Sequence, residues 1–297
     1  MVACSKRRWV GVDLRVVEVG YLLRVIQRKA KEDQLGSTLD LISQLYQELR
    51  EKCKTNRHLS HHWISRNQFM EVMTSGCMES ELITPTSINS LFSSFDPDFS
   101  GKVKFIKLIV SLVFGYQPDF SNLTSMLIKG EKEEEIEEEG EEATAPSPPI
   151  SQLGTLPLLR LVWGFYHDLD GNGMLLGDVE EALLSVSMSE DGYRSLQDII
   201  RKWGEEEEWS QFKTQSRSLT ISGSSCILQE DVGMEEEDFV EFITDIEEVW
   251  GVWGNQVMTY RSLILPYTLQ DRVTFGDVLE QKKKGEGNGI FGTREVY

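Results

Sequence analysis

The sequence predicts an all-α protein with four helix–loop–helix units paired in two lobes, joined by short β-contacts between the paired loops. Three observations carry this. Apolar residues recur at helical spacing in both halves of the chain. Short Asp/Asn/Ser/Gly loops follow Phe95 and His167, and each leads into another apolar helical run. A glutamate-rich stretch ending in prolines separates the halves.

Size and composition agree with two packed lobes. The chain has 297 residues, 40% of them hydrophobic, with 7 Trp, 8 Tyr and 13 Phe to fill cores. The net charge of −19 argues against a nucleic-acid binder. Residues 1–60 carry a net +5, which leaves −24 on the remainder and gives a basic head on an acidic body. Cys4, Cys53, Cys77 and Cys226 lie far apart and form no CxxC pair. They are expected as reduced thiols in the cytoplasm.

Residues 1–36 begin with Lys6-Arg7-Arg8 and continue with apolar residues from Val16 to Ile26. Asp13, Arg15, Glu18 and Arg24 interrupt that run, which excludes a signal peptide and a transmembrane span. A basic amphipathic helix is expected, docked on the protein or on a partner.

Residues 37–128 hold the first pair of units. In the first, Leu39, Ile42, Tyr46, Leu49 and Cys53 form the entering stripe; Ile64 sits near the loop end, and Phe69, Val72 and Met73 continue the exiting face. The loop offers Arg57, His58, His61 and His62 in place of acids, so it should not bind calcium. A zinc cluster of Cys53 with these histidines matches no finger spacing, and solvated loop histidines are expected instead.

In the second unit, Ile88, Leu91, Phe92 and Phe95 lead into a loop running from Asp96 to Lys107. A calcium loop of this kind needs side-chain oxygens at positions 1, 3 and 5, glycine at 6, a backbone carbonyl at 7 and a bidentate acid at 12. Asp96, Asp98 and Ser100 fill 1, 3 and 5, Gly101 fills 6 and apolar Val103 fills 8. Lys107 stands at 12, and an ammonium there repels the ion. This loop keeps the fold signal and should have lost the metal.

Residues 129–155 form the acidic, proline-containing linker. Residues 156–250 hold the second pair. The third loop has the richest ligand set: Asp168, Asp170 and Asn172 at 1, 3 and 5, Gly173 at 6 and the Met174 carbonyl at 7. In the standard spacing Val179 takes position 12. If the loop is one residue short, Asp178 closes it, and Val179, Ala182 and Leu183 become the apolar face of the exiting helix. At most one calcium ion is expected, held by Asp168, Asp170, Asn172, Met174 and Asp178, with a metal-free structural loop as the alternative. The fourth unit is split: Leu196, Ile199, Ile200 and Trp203 enter, Met234 to Ile243 exit, and a long insert near 204–233 separates them.

Residues 251–297 form a C-terminal segment and a flexible tail with Lys282, Lys283 and Lys284. The apolar stretch Val249–Pro266 is expected to fold back into the C-terminal groove.

The run from Phe92 to Phe105, and Asp168-Leu-Asp170-Gly-Asn172-Gly173, resemble the EF-hand family. The two-lobe spacing is similar to its calcineurin B, neuronal calcium sensor and calaxin branch, over roughly residues 37–250. The resemblance implies a calcium sensor that seats a partner helix in an apolar groove. Phe69, Met70, Met73, Phe105, Phe165, Trp250, Trp253 and Met258 are candidates to line grooves, and packing in the core is the simpler reading of each. The calaxin-like members imply a ciliary or cytoskeletal setting. Two functions follow: a calcium-regulated interaction subunit relying on the third loop, or a calcium-independent scaffold subunit. No catalytic motif is found, and His167 beside Asp168 reads as the entry to a loop, not as an acid–base pair. An enzyme is not expected.

Overall fold

The computed structural model describes residues 2–32, 37–54, 62–78, 82–117, 154–170, 173–212 and 233–269; for 2–13, 76 and 170 it describes the backbone alone. The histidine loop, the acidic linker, most of the fourth-unit insert and the lysine tail lie outside these residues.

The described chain is mostly helical, with eleven α-helices and one two-stranded sheet. The N-terminal half holds α1 (Val2–Glu32), α2 (Thr38–Lys54), α3 (Arg66–Thr74), α4 (Pro85–Phe95) and α5 (Phe105–Gly115). Strands β1 (Trp63–Ser65) and β2 (Lys102–Lys104) pair antiparallel, and a short 3₁₀ turn (Gly76–Met78) follows α3. The C-terminal half holds α6 (Leu156–Asp170), α7 (Leu176–Leu184), α8 (Glu190–Trp203), α9 (Glu207–Ser210), α10 (Glu236–Thr244) and α11 (Glu247–Leu269).

Local chemistry sets the helix ends. Thr84 caps α4, its hydroxyl taking the Ser87 N–H while the Ser87 hydroxyl takes the Thr84 N–H, and Pro85 sits at the first helical position. Ser189 caps α8 by accepting from Gly192 N. Most of the expected apolar stripes are buried: Ile42, Tyr46, Leu49 and Cys53 on α2, Ile88, Leu91 and Phe92 on α4, and Val179, Ala182 and Leu183 on α7; Leu39 and Phe95 are half-buried at the rim of the core.

Helix α5 is the hub. Every residue from Phe105 to Gly115 except Lys107 is buried, as a helix that is apolar all round must be. It touches α1, α2, α6, α7 and α11, so a single continuous core serves both halves. Two glycines permit the close seating of α11 on α1 and α5. A Cβ on Gly20 of α1 would stand 2.8 Å from Tyr267 Cβ of α11, and one on Gly115 would stand 2.9 Å from Ile264 Cδ1.

The terminal helices differ from expectation in one respect. α1 does pack within the chain, on α4, α5, α2 and α11. The segment Val249–Pro266, expected to fold back into the C-terminal groove, lies in α11, which packs on α8 and α10 and also crosses to α1 and α5 of the N-terminal half. Tyr260 Oη donates to the Ser111 carbonyl, and Arg261 Nε donates to the Phe114 carbonyl at 2.8 Å. The reason is the apolar length of α11: Val249, Trp253, Val257, Tyr260 and Ile264 are all buried, more than one groove can cover. No described helix is long and apolar enough to cross a membrane.

Candidate functional site

The four loop ends share one local design. Ile64 pairs with Val103 in the small sheet, and Met174 pairs with Met234 in an isolated antiparallel bridge. Each of these buried residues is followed directly by the residue that starts a helix: Ser65, Lys104, Leu175 and Glu235. The third residue of each helix is then Gln68, Lys107, Asp178 and Asp238. Three of these four reach back to the helix start. Gln68 Oε1 accepts from Ser65 N, Asp178 Oδ2 from Leu175 N, and Asp238 Oδ2 from Glu235 N, each at 3.1 Å. That contact satisfies a backbone donor at the helix N-terminus, and the two acids also lie at the positive end of a helix dipole.

The second loop is closed by its own carboxylate. Asp96 is buried and follows α4 directly. Its Oδ1 accepts from Ser100 N at 2.7 Å and lies 2.8 Å from Ser100 Oγ; its Oδ2 accepts from Gly101 N at 2.8 Å. Burying a charge this way is tolerable because every contact is a donor aimed at the anion. Gly101 supplies the left-handed turn, with φ 75°. Phe99 also adopts positive φ, at 54°, and is 76% exposed. Asp98 is exposed.

The third loop is arranged differently. Helix α6 runs on through Asp170, so Asp168 and Asp170 are still helical where the ligand loop was expected to begin. Asp168 is exposed and turned to α2. Gln47 Nε2 donates to its Oδ2 at 3.3 Å, Arg50 Nη1 lies 3.5 Å from the same oxygen, and Arg50 Nη2 donates to its backbone carbonyl. The Asp170 side chain and Asn172 lie outside what is described. Met174 was expected to turn its carbonyl to the ion; that carbonyl accepts from Met234 N at 2.7 Å instead. The cause is length: Gly173, with φ 76°, directly precedes the bridge residue, whereas Gly101 stands two before Val103. A Cβ on Gly173 would lie 2.5 Å from Met234 O, so only glycine fits.

The ligand positions Asp168 and Met174 are thus each engaged within the protein. Among the described residues, no three His, Cys, Asp or Glu side chains gather closely enough to hold a metal ion. A guanidinium beside Asp168 opposes a divalent cation there by simple repulsion. In the second loop, Asp96 is already engaged by Ser100 and Gly101, and Lys107 stands where a closing acid is required.

The halves meet along a polar seam over the shared core. Tyr46 Oη donates to the Phe165 carbonyl at 2.7 Å, with the two rings 4.4 Å apart. Lys104 pairs with Glu181 at 2.5 Å. Arg15 Nη2 donates to the Ser187 carbonyl, and Arg15 Cζ stands 5.9 Å from the Phe95 ring centre. A cleft of about 400 Å³ opens here, lined by Phe95, Lys107, Glu180, Leu184 and Tyr193 among others. Burial pushes the Cys53 and Cys77 thiols up to about 12, assisted at Cys77 by Glu48, so neither is a ready nucleophile.

Sequence reasoning did not foresee Gln47 and Arg50, because their partner lies more than a hundred residues away. It also did not foresee the burial of Glu18 and Arg261. The one available signal for Arg50 was its position one turn after Tyr46 on the buried side of α2. Comparison of the chain with family models, with characterised proteins and with solved structures returns no match.

Proposed function

We propose that this chain is a degenerate EF-hand protein that works as a calcium-independent interaction subunit, its apolar grooves filled by its own α1 and α11. The observation that carries the reading is the common design of the four loop ends. An apolar bridge residue and a helix start recur four times, a third residue that reaches back recurs in three of them, and the bridges join first to second and third to fourth. Paired EF-hands use that arrangement, with the bridge at loop position 8 and the closing ligand at position 12.

Calcium independence is supported by the use already made of the ligand groups. Asp96 is spent on its own loop, Lys107 occupies one closing position, and Asp168 is held by Arg50 and Gln47. A protein-binding role in place of catalysis is supported by where the buried polar groups lie. Glu18 and Arg261 are tied across helix seams, to Ser90 of α4 and to the Phe114 carbonyl of α5.

A calcium-regulated reading has support of its own. Gly173 keeps the left-handed turn, and Asp178 stands at the closing place of a shortened loop. Calcium would then have to displace Arg50 and Gln47 from Asp168 and unwind the end of α6.

Calorimetric titration of calcium into the full chain separates the two. The proposal expects no saturable heat up to millimolar calcium. Saturable binding that disappears in an Asp168→Ala/Asp170→Ala variant would replace it with a sensor.

A further inference from the structure

Helix α1 carries one group that an amphipathic helix of this kind does not need. Glu18 is 2% exposed, on the face turned to α4. Its hydrogen-bond partner is neutral: Ser90 Oγ donates to Oε1 at 2.6 Å. Leu22, Met73, Ile83, Ile88 and Leu91, with Tyr21 and Ser87, border a void of about 10 Å³ beside it. That is at the lower limit for a single water. A carboxylate in such a seat is costly, whereas a carboxylic acid is not.

The neighbouring charges do not relieve it. Helix α4 has no ionisable side chain, and α3 and the segment before α4 face Glu18 with Met73 and Ile83. On α1 itself, Tyr21 donates its hydroxyl to the Leu82 carbonyl, and Arg24 acts on Tyr21. Arg15 is directed to the Ser187 carbonyl and to Tyr260 of α11, beside which lies Arg261. Lys107 of α5 lines the seam cleft with Arg15. Near the end of α1, Lys29 and Glu48 of α2 act on Cys77.

We propose that α1 is a proton-gated clasp, seated on α4 while Glu18 is uncharged and loosened when Glu18 ionises. Release would uncover the apolar strip of Met73, Ile88 and Leu91 beneath it. The clasp does not depend on the loops binding calcium.

The direction follows from linkage. Burial raises the Glu18 carboxyl from 4.5 to about 7, only partly opposed by the Ser90 hydrogen bond. The docked form therefore binds a proton that the released form gives up. Docking is at full strength below pH 4.5, weakens about tenfold per pH unit above it, and levels off above pH 7. Between pH 5.5 and 7.5 the opening equilibrium of α1 should rise about twenty-fold.

Native-state hydrogen exchange on the full chain tests this, with each amide corrected for its intrinsic rate. In the wild type, protection of α1 should fall about twenty-fold from pH 5.5 to 7.5 while α7 and α10 keep theirs. Glu18→Gln should hold α1 protection within about twofold across the same range. Should that variant not fold, Ser90→Ala serves: losing the donor raises the carboxyl further and steepens the pH response of α1. Wild-type protection that ignores pH would overturn the clasp. So would a Glu18→Gln variant that keeps the wild-type response, or a loss spread equally over all helices.

Discussion

Two glycines in helices should respond to the same substitution with opposite signs. Gly20 lies inside α1 and Gly251 inside α11, so alanine gains about 1 kcal/mol of helix propensity at either. At Gly251 nothing stands within 4 Å of the new methyl group, and the gain should be kept. At Gly20 the methyl group meets Tyr267 Cβ at 2.8 Å and the Ile264 carbonyl at 3.2 Å. Neither is the free end of a flexible side chain, so α1 and α11 must separate. Overpacking of this kind costs about 1–3 kcal/mol, which cancels or exceeds the propensity gain. Gly251→Ala should therefore stabilise by about 1 kcal/mol, and Gly20→Ala should be destabilised by up to about 2 kcal/mol. Urea unfolding followed by tryptophan fluorescence reads both. Stabilisation of Gly20→Ala equal to that of Gly251→Ala would refute the close seating of α1 on α11.

Substitutions at two further positions test other contacts by the same assay. Trp253 is fully buried, edge-on to Phe114 at 5.2 Å, and its indole N–H has no partner among the described residues. Trp253→Ala should cost about 3–5 kcal/mol, whereas Trp253→Phe, which also removes the orphan donor, should cost less than about 1.5 kcal/mol. Equal losses would mean that α11 is not packed through this ring. Phe99 holds a left-handed backbone while its ring is exposed, so Phe99→Asn loses no packing and relieves roughly 1 kcal/mol of strain. An unfolding midpoint that drops in this variant would show that the ring has a partner.

The helices were legible where one face had to be buried. The stripes on α2, α4 and α7 follow from helical period alone, and the glycine at Gly101 and the lysine at Lys107 told their own local story. The shortened third loop could also be read, because Val179, Ala182 and Leu183 make a buried face only in that spacing. What could not be read were meetings between distant segments. Nothing near Asp168 in sequence announces Arg50, and nothing near Val249 says that α11 reaches Ser111 and Phe114. Glu18 misleads for a different reason. A glutamate among leucines and valines usually marks the solvent face of a helix, but α1 is covered on more than one side, by α4, α5 and α11. Which side a charge falls on then depends on partners that the period of one helix does not name.

The central claim is that the terminal helices fill the grooves whether or not calcium is present. Hydrogen exchange of the full chain in 1 mM calcium and in chelator, at one pH, addresses it directly. The account predicts that α1 and α11 keep their protection within about twofold in both conditions. A drop of about tenfold or more in either helix on adding calcium would mean that the loops govern the grooves, and would contradict it.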